Sequence, residues 1–204
     1  MPYLQLEVGP LQTNMYVYYS PASRQCYIID PGADAEKIIR LIGKEKLQPQ
    51  AVILTHGHAD HLGAAAAVLG HFHVPLWIHG ADEENVRSQF NREIAAMFAM
   101  ALPPPAERLL KDGETVGADD LVLKVIHSPG HTPGSILLQA GNLLFTGDTL
   151  FQGDIGRTDL PGGDDEQMRS SLDKIRVFPP TTIILPGHGP SSTLAQELAT
   201  NPYF

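Results

Sequence analysis

The sequence THGHADH at residues 55–61 places four side chains that can bind metal within one short stretch. His56 and His58 are two residues apart, so in an extended segment both imidazoles point to the same side of the backbone. On a helix this spacing would separate them by about 200°, which excludes the helical two-histidine motif of many zinc proteases. Asp60 and His61 are adjacent and leave the backbone in different directions. We therefore expect the four side chains to serve two neighbouring ions in pairs.

Three further loops share one construction, in which an apolar run ends in a glycine-containing turn that carries a His or an Asp. They contain His131 in SPGHTPG, Asp148 in FTGD and His188 in LPGHGP. Open α/β sheets bind ligands at the loops beyond their strand ends, so these loops are predicted to gather around one cleft. A single Gly-Asp turn is usually only a turn. Together with residues 55–61, the three loops predict a metal centre.

Apolar runs of strand length alternate with helical patterns along the chain, which predicts an α/β protein with helices outside its sheets. The predicted strands are Leu4–Val8, Met15–Tyr19, Cys26–Ile29, Ala51–Leu54, Pro75–Ile78, Leu121–Ile126, Ser135–Gln139, Leu143–Phe145 and Thr182–Leu185. The predicted helices are Asp34–Gly43, Leu62–Leu69, Asn85–Leu102, Glu166–Val177 and Leu194–Thr200. The sequence shows neither a linker nor a low-complexity segment, so residues 1–204 are expected to form one domain.

The composition argues against several classes of protein. The chain has 14 basic and 23 acidic residues, a net charge of −9, and no run of Lys or Arg that would attract nucleic acid or anionic lipid. It shows no signal peptide and no apolar stretch of about 18 residues. We therefore expect a cytoplasmic protein with neither a nucleic-acid nor a membrane partner. The single cysteine, Cys26, lies in a strand-like run and is predicted to be a core residue.

In their order along the chain, these motifs resemble the metallo-β-lactamase superfamily over essentially the whole sequence. Within it the chain is similar to glyoxalase II (hydroxyacylglutathione hydrolase), especially the short bacterial members that lack the C-terminal helical domain. The resemblance is carried by THGHADHLG, SPGHTPGS, TGDTLFQGDIGRTDLPGGD, PGHGPSST and the ending NPYF. It implies an α/β fold, a four-layer αββα sandwich of the metallo-β-lactamase type, with two β-sheets between outer helices.

The resemblance also implies a role for each residue of the site. The implied ligands are His56, His58 and His131 for one ion, Asp60, His61 and His188 for the other, and Asp148 as a bridge between both. Asp30 would orient ligands through hydrogen bonds, and Arg157 would bind substrate. The implied cofactor is two divalent metal ions. Because the donors are nitrogen and oxygen without thiolate, zinc is expected, and iron or manganese would also suit.

The implied activity is metal-dependent hydrolysis of a thioester, either S-lactoylglutathione or a related small acyl-thiol. A hydroxide held between the two ions would be the nucleophile, with Asp60 and Asp148 as the catalytic carboxylates. An alternative is a persulfide dioxygenase with one iron, which shares the stretch Gly156–Asp159, although the sequence PGHGP around His188 differs from that branch. A non-catalytic metal-binding protein is the alternative of another class. Structural zinc sites, however, are normally closed, four-coordinate and often rich in cysteine.

Overall fold

Two six-stranded β-sheets organise the chain, and the computed structural model describes residues 2–204. The first sheet contains β1 (Tyr3–Val8), β2 (Thr13–Tyr19), β3 (Gln25–Ile29), β4 (Gln48–Ile53), β5 (Leu76–His79) and β6 (Arg108–Leu110), in that spatial order. The second contains β7 (Thr115–Ala118), β8 (Leu121–His127), β9 (Ile136–Ala140), β10 (Leu143–Gly147), β13 (Ile183–Pro186) and β14 (Ser192–Thr193), in the spatial order β14-β13-β10-β9-β8-β7. A separate hairpin pairs β11 (Leu150–Phe151) with β12 (Asp154–Ile155).

The α-helices fall between the strands and after them. They are α1 (Ala35–Lys44), α2 (Ala59–Leu62), α3 (Ala65–Phe72), α4 (Gln89–Met97), α5 (Asp165–Arg176) and α6 (Leu194–Thr200). No helix among residues 2–204 combines the length and the apolar character that crossing a membrane requires.

Strand periodicity divides the apolar side chains of the first sheet between two cores. On β2, Met15 and Val17 pack with Ile38 of α1, on the helical side of the sheet. Their neighbour Tyr16 belongs to the other face, where it packs against Phe145 of the second sheet. Successive side chains of a strand point to opposite faces, so one strand supplies both cores.

The second sheet repeats this division and completes the layers. Phe145 of β10 faces the first sheet, whereas the preceding residue, Leu144, packs with Leu172 and Ile175 of α5 and with Leu194 of α6. The order through the molecule is therefore helices, sheet, sheet, helices. The four-layer αββα sandwich predicted from the sequence is confirmed.

Two predicted helices differ from the structure. The run predicted as Leu62–Leu69 is two helices, α2 and α3, separated at Gly63, where a Cβ would lie 2.5 Å from the carbonyl oxygen of Gly32. The run predicted as Asn85–Leu102 begins with one 3₁₀ turn and restarts at Ser88, whose hydroxyl accepts a hydrogen bond from Asn91 N at 3.2 Å. Local capping and close packing thus override the helical periodicity.

The ends of the parallel strands position the site. Strands β3, β4 and β5 run parallel in the first sheet, and β10 and β13 run parallel in the second. Backbone hydrogen bonds join the two sheets at these ends, from Asn14 N to Gly187 O at 2.7 Å and from Ile136 N to Thr55 O at 2.9 Å. The loops that follow β4, β10 and β13, together with the turn between β8 and β9, therefore open into one cleft.

Candidate metal centre

All seven side chains predicted as metal ligands converge on this cleft. Their nitrogen and oxygen atoms form three overlapping groups, within each of which the donor atoms lie no more than 4.8 Å apart. The groups are His56, His58 and His131; Asp60, His61 and His188; and His56, His61 and Asp148. The first two groups have the same members as the two ligand sets expected from the resemblance.

Local backbone structure separates the four donors of residues 55–61. His58 is extended (φ −78°, ψ 146°) and immediately precedes α2, whereas Asp60 and His61 lie within α2. As expected for an extended segment, the imidazoles of His56 and His58 lie side by side, with ring centroids 4.8 Å apart. The change from extended chain to helix then turns Asp60 and His61 toward the second group of donors.

The shortest donor distances fall within the two groups. His58 Nδ1 lies 2.8 Å from His131 Nε2. In the second group, His188 Nε2 lies 3.1 Å from Asp60 Oδ2 and 3.3 Å from His61 Nε2. Pairs of imidazole nitrogens this close share either a proton or a cation, since two lone pairs repel each other.

Asp148 lies between the two groups. Its Oδ1 is 3.3 Å from His61 Nε2, and its Oδ2 is 3.5 Å from His131 Nε2 and 3.6 Å from His188 Nε2. One carboxylate oxygen therefore faces the second group and the other faces both groups. A carboxylate in this position can bridge two cations.

Unpartnered buried atoms show that the donor set fits metal ions. Among residues 2–204, His56 Nε2, His58 Nε2 and Asp148 Oδ1 are buried and have no hydrogen-bond partner. Most buried polar atoms in proteins have such a partner, and these three without one lie together among the nitrogen and oxygen donors of the centre. Zinc, iron and manganese all accept ligands of this kind.

The electrostatics of the centre divide its histidines. Burial and the neighbouring His61 lower the pKa of His56 well below its usual range, and burial and His131 lower the pKa of His58 to about 4. Burial also acts to lower the pKa of His61, but the charges of Asp148 and Asp60 raise it well above its usual range. At neutral pH His56 and His58 are therefore uncharged, with lone pairs available to a cation.

The two aspartates of the centre are ionised. Burial acts to raise the pKa of Asp148 and of Asp60, but the charge of His61 outweighs it and lowers both. The pKa of His188 is raised, because its hydrogen bond to Asp60 and the charge of Asp148 outweigh its burial. Without metal, the second group therefore holds protons where cations would otherwise lie.

Backbone carbonyls set the orientation of two ligand imidazoles. His131 Nδ1 donates to Arg157 O at 2.7 Å, and His188 Nδ1 donates to Leu11 O at 3.1 Å. A carbonyl oxygen can only accept a hydrogen bond, so each Nδ1 carries a proton and Nε2 is the nitrogen left for a cation. Both Nε2 atoms face the cleft.

Asp30 lies where the resemblance placed it, beside the ligands. It adopts a left-handed conformation (φ 52°) at the end of β3. Its Oδ1 accepts from Thr55 N at 2.7 Å, and its Oδ2 accepts from Thr55 Oγ1 at 2.7 Å and pairs with His61 Nδ1 at 3.1 Å. These contacts hold the start of the ligand loop and turn His61 Nε2 toward the cleft.

Arg157 lies at the mouth of the cleft, but its guanidinium group is not directed at the ligands. It forms two hydrogen bonds of 2.7 Å with the carboxylate of Asp159, and its side chain is 62% exposed. The part of Arg157 that contacts the centre is its carbonyl oxygen, through His131. A role of its side chain in substrate binding stays a prediction.

Asp82 and Asn91 also shape the centre, and sequence reasoning missed both. Asp82 is fully buried and accepts hydrogen bonds from Gly57 N, Thr132 Oγ1 and Gly134 N, each at 2.7 Å. Asn91 is fully buried and accepts from Ala59 N at 3.0 Å. The sequence signal for Asp82 is weak, because an isolated Asp in a stretch such as Gly80-Ala81-Asp82 after a strand is usually part of a turn.

The cleft beside the ligands has a volume of about 330 Å³. Its floor is the ligand side chains, and its wall includes the apolar residues Phe151, Ile155 and Leu160. Polar donors at the base and apolar side chains along one wall are typical of sites that bind small molecules.

The chain is similar in sequence and fold to known proteins. The chain is 40% identical over 187 residues to hydroxyacylglutathione hydrolase GloC of Haemophilus influenzae, covering 86% of this chain and 85% of that protein. A crystal structure described as the B3 metallo-beta-lactamase BLEG-1 superposes with a TM-score of 0.91 and 37% identity over 99% of both chains. TTHA1623 in a di-iron-bound form superposes with a TM-score of 0.89 and 35% identity, over 98% of this chain and 100% of that chain.

The family relationship covers the segment that holds the whole site. The family model of the metallo-beta-lactamase superfamily matches residues 8–188, from the end of β1 to the last of the predicted ligands. The fold, the order of the metal-binding side chains along the sequence and this match agree, and the chain belongs to the metallo-β-lactamase superfamily.

Proposed function

We propose that the chain is a metal-dependent thioester hydrolase of the glyoxalase II type, which acts on S-lactoylglutathione or a related small acyl-thiol. The observation that carries the proposal is the position of Asp148, with one carboxylate oxygen 3.3 Å from His61 Nε2 and the other 3.5 Å from His131 Nε2. This geometry suits a pair of cations. The 40% identity to hydroxyacylglutathione hydrolase GloC supports the choice of a thioester as substrate.

The residues of the chain divide the work of binding and orientation. Two divalent ions, when bound, supply Lewis acidity toward a carbonyl and lower the pKa of a shared water. His56, His58 and His131 would hold one ion, Asp60, His61 and His188 would hold the other, and the carboxylate of Asp148 lies between the two groups. The hydrogen bonds to Asp30 and to the backbone hold these ligands in place before substrate binds.

The cleft wall suits a small acyl group next to a thiol carrier. Phe151, Ile155 and Leu160 line the cleft beside the ligands, and apolar side chains there would exclude water from the scissile bond. Among the residues that line the cleft, Arg157 is the one arginine or lysine. We propose that it interacts with a carboxylate of the thiol carrier.

We further propose zinc as the ion and the cytoplasm as the compartment. The donor set contains no thiolate and suits zinc, although the di-iron form of a structure 35% identical to this chain makes iron the first alternative. The net charge of −9 supports small-molecule chemistry without a nucleic-acid or membrane partner. Metal analysis of protein purified without added metal would identify the ion.

Steady-state hydrolysis tests the proposed function. Protein loaded with zinc, and separately with iron, is assayed with S-lactoylglutathione and with thioesters of other thiols. We expect His58→Ala to lower kcat/KM about a hundredfold or more, because it removes a ligand of the first group. His71→Ala, which removes an exposed histidine of α3, is the matched control and should keep full activity. Equal rates for the unsubstituted protein and the His58→Ala variant would refute the proposal.

The same preparations separate the rival activities. One iron per chain, with oxygen uptake on glutathione persulfide, would assign a persulfide dioxygenase. Hydrolysis of a β-lactam faster than that of every thioester would assign a lactamase, the activity in the description of BLEG-1. Metal binding without turnover of any of these substrates would leave a non-catalytic metal-binding protein.

A further inference from the structure

Glu197 is a buried carboxyl group that the proposed chemistry does not use. It lies on α6 with 0% of its surface exposed, and its Oε1 has no hydrogen-bond partner within residues 2–204. Its Oε2 accepts hydrogen bonds from Gly153 N at 2.8 Å and from Asn201 Nδ2 at 2.9 Å. Burying a carboxyl group without a cationic partner is unfavourable, and here the group binds the turn of the β11–β12 hairpin.

Asn201, which begins the NPYF ending, binds the same hairpin. It is 4% exposed, and its Nδ2 lies 3.2 Å from Asp154 O and 3.4 Å from Phe151 O. Its Oδ1 accepts from Tyr203 N at 3.1 Å. Glu197 and Asn201 together therefore contact both strands of the hairpin and the turn between them.

The opposite side of the hairpin faces the metal centre. The ring of Phe151 stands edge-on to the imidazole of His188, with centroids 6.0 Å apart and an interplanar angle of 84°. Ile155 lines the cleft. The chain then passes through Gly156, where a Cβ would lie 1.8 Å from Asp148 O and 3.2 Å from His131 Nδ1. The hairpin is thus a wall of the cleft, held from behind by α6 and the residue that follows it.

We propose that Glu197 and Asn201 are positioning residues that fix the β11–β12 hairpin as the substrate-facing wall of the cleft. The inference rests on the proposed function in one respect, that an acyl-thiol binds against this wall. A wall ordered before binding spares the substrate the entropy of ordering it. Asp148 precedes the hairpin and Arg157, whose carbonyl orients His131, follows it, whereas Glu197 and Asn201 contact only Phe151, Gly153 and Asp154 within it. Loosening the hairpin itself should therefore weaken substrate binding more than the chemical step.

Kinetics of two substitutions at Glu197 test this. Glu197→Ala leaves Gly153 N–H without its acceptor and removes the nearest of the three acceptors of Asn201 Nδ2, whereas Glu197→Gln keeps an oxygen that can accept both hydrogen bonds. We expect Glu197→Ala to raise KM about tenfold with kcat changed less than about twofold and metal content unchanged. Glu197→Gln should restore KM. Gln196→Ala, an exposed position on the same helix, is the matched control.

Hydrogen exchange at the Gly153 amide tests, without any substrate, whether Glu197 and Asn201 hold the hairpin. In metal-loaded protein this amide should exchange slowly in the unsubstituted chain and in Glu197→Gln, and about tenfold or more faster in Glu197→Ala. Asn201→Ala serves as a second variant and should also accelerate exchange. Unchanged exchange and unchanged KM in both alanine variants would overturn the inference, as would a loss of kcat with KM unchanged. If the unsubstituted chain hydrolyses no thioester, the proposed function fails. The exchange rates still show whether Glu197 and Asn201 hold the hairpin.

Discussion

At the scale of single residues, one carboxylate illustrates how the centre is held in order. Asp30 has two oxygens and three donors, from Thr55 N, Thr55 Oγ1 and His61 Nδ1. Because His61 Nδ1 is directed at a carboxylate, its Nε2 is left to face Asp60 and Asp148. The conformation of Asp30, with φ at 52°, costs of order 1 kcal/mol or more, and the three hydrogen bonds offset that strain.

Asp30→Asn is therefore expected to weaken the second ion selectively. The amide group of asparagine must point either at Thr55 N–H or at the Thr55 hydroxyl and His61 Nδ1–H, so it opposes a donor in both orientations. We expect the affinity for the ion of the Asp60, His61 and His188 group to fall about 10–100-fold, with a smaller change at the other ion. Competition with a chromophoric chelator measures the affinities for both ions. The exposed substitution Asp173→Asn should leave both affinities as they are, and an identical result for Asp30→Asn would contradict the role assigned to it.

Proton release on metal binding follows from the raised pKa values of two histidines. Asp148 and Asp60 raise the pKa of His61 well above its usual range, and the pKa of His188 is also raised. His61 therefore holds an additional proton in the metal-free protein at pH 7, the raised pKa of His188 favours a second, and a cation must displace them. We expect about one to two protons released per chain at pH 7, and fewer as the pH rises through these pKa values.

Calorimetric metal titration in two buffers of different ionisation enthalpy measures that number. The affinity for metal should fall on acidification, because protons compete for the same nitrogens. Binding at pH 7 without any proton release would contradict the charge states derived from the geometry.

At the scale of elements, the site depends on contacts between segments far apart in sequence. Asp82, in the turn after β5, hydrogen-bonds the loop of His58 through Gly57 N and the loop of His131 through Thr132 Oγ1 and Gly134 N. The hairpin β11–β12 is held in turn by α6. The loops of His58 and His131 and the hairpin after Asp148 are thereby tied to residues that are not ligands.

Asp82→Asn should destabilise the fold measurably. Oδ2 of Asp82 accepts two of the three hydrogen bonds and Oδ1 accepts the third, so the amide group of asparagine replaces an acceptor with a donor. We expect the free energy of unfolding to fall by about 1–3 kcal/mol, the range for a buried polar group left unsatisfied. Urea denaturation measures the change against Asp173→Asn, whose side chain is 75% exposed in the unsubstituted protein. Equal midpoints for the two variants would show that the Asp82 contacts are dispensable.

How far the sequence predicted these elements depends on the range of the interactions that form them. Helix α6 (Leu194–Thr200) coincides with its prediction, because its cap, Thr193, and its apolar positions are local. Strands β6 (Arg108–Leu110) and β7 (Thr115–Ala118) were not predicted, since they are short, partly exposed edge strands defined by pairing with a neighbour. Strands defined by pairing in this way show almost no alternation of apolar and polar residues in the sequence.

The same distinction applies to the site. His56, His58, Asp60 and His61 were predictable because their spacing within one loop restricts which way they point. Asp82 was not, because its three partners come from residues 57, 132 and 134, and nothing in its own neighbourhood indicates them. Long-range hydrogen bonds to backbone groups are specified by the fold as a whole.

At the scale of the whole molecule, the metal centre joins the two halves of the sandwich. Four ligands lie in the segment that follows β4 of the first sheet, namely His56, His58, Asp60 and His61. The other three lie in loops of the second sheet, after β8, β10 and β13. Phe145 ties the same halves together internally, packed edge-on against Tyr16 at 5.2 Å and Tyr18 at 6.1 Å between ring centroids. The apolar core and the ligand set thus hold one interface at two places.

Removing the metal should therefore lower the thermal stability of the whole chain. A ligand that binds only the folded state stabilises it by about 2.7 kcal/mol when present at 100 times its Kd. For a chain of this length each kcal/mol shifts Tm by about 2–4 °C, so chelation should lower Tm by about 5–10 °C. Calorimetry before and after treatment with a chelator measures the shift, and adding the metal back should restore it. Asp148→Ala, which lacks the carboxylate between the two donor groups, should show a smaller shift. An unchanged Tm after complete metal removal would mean that the ions do not link the two halves, because ions bound across the interface must stabilise it.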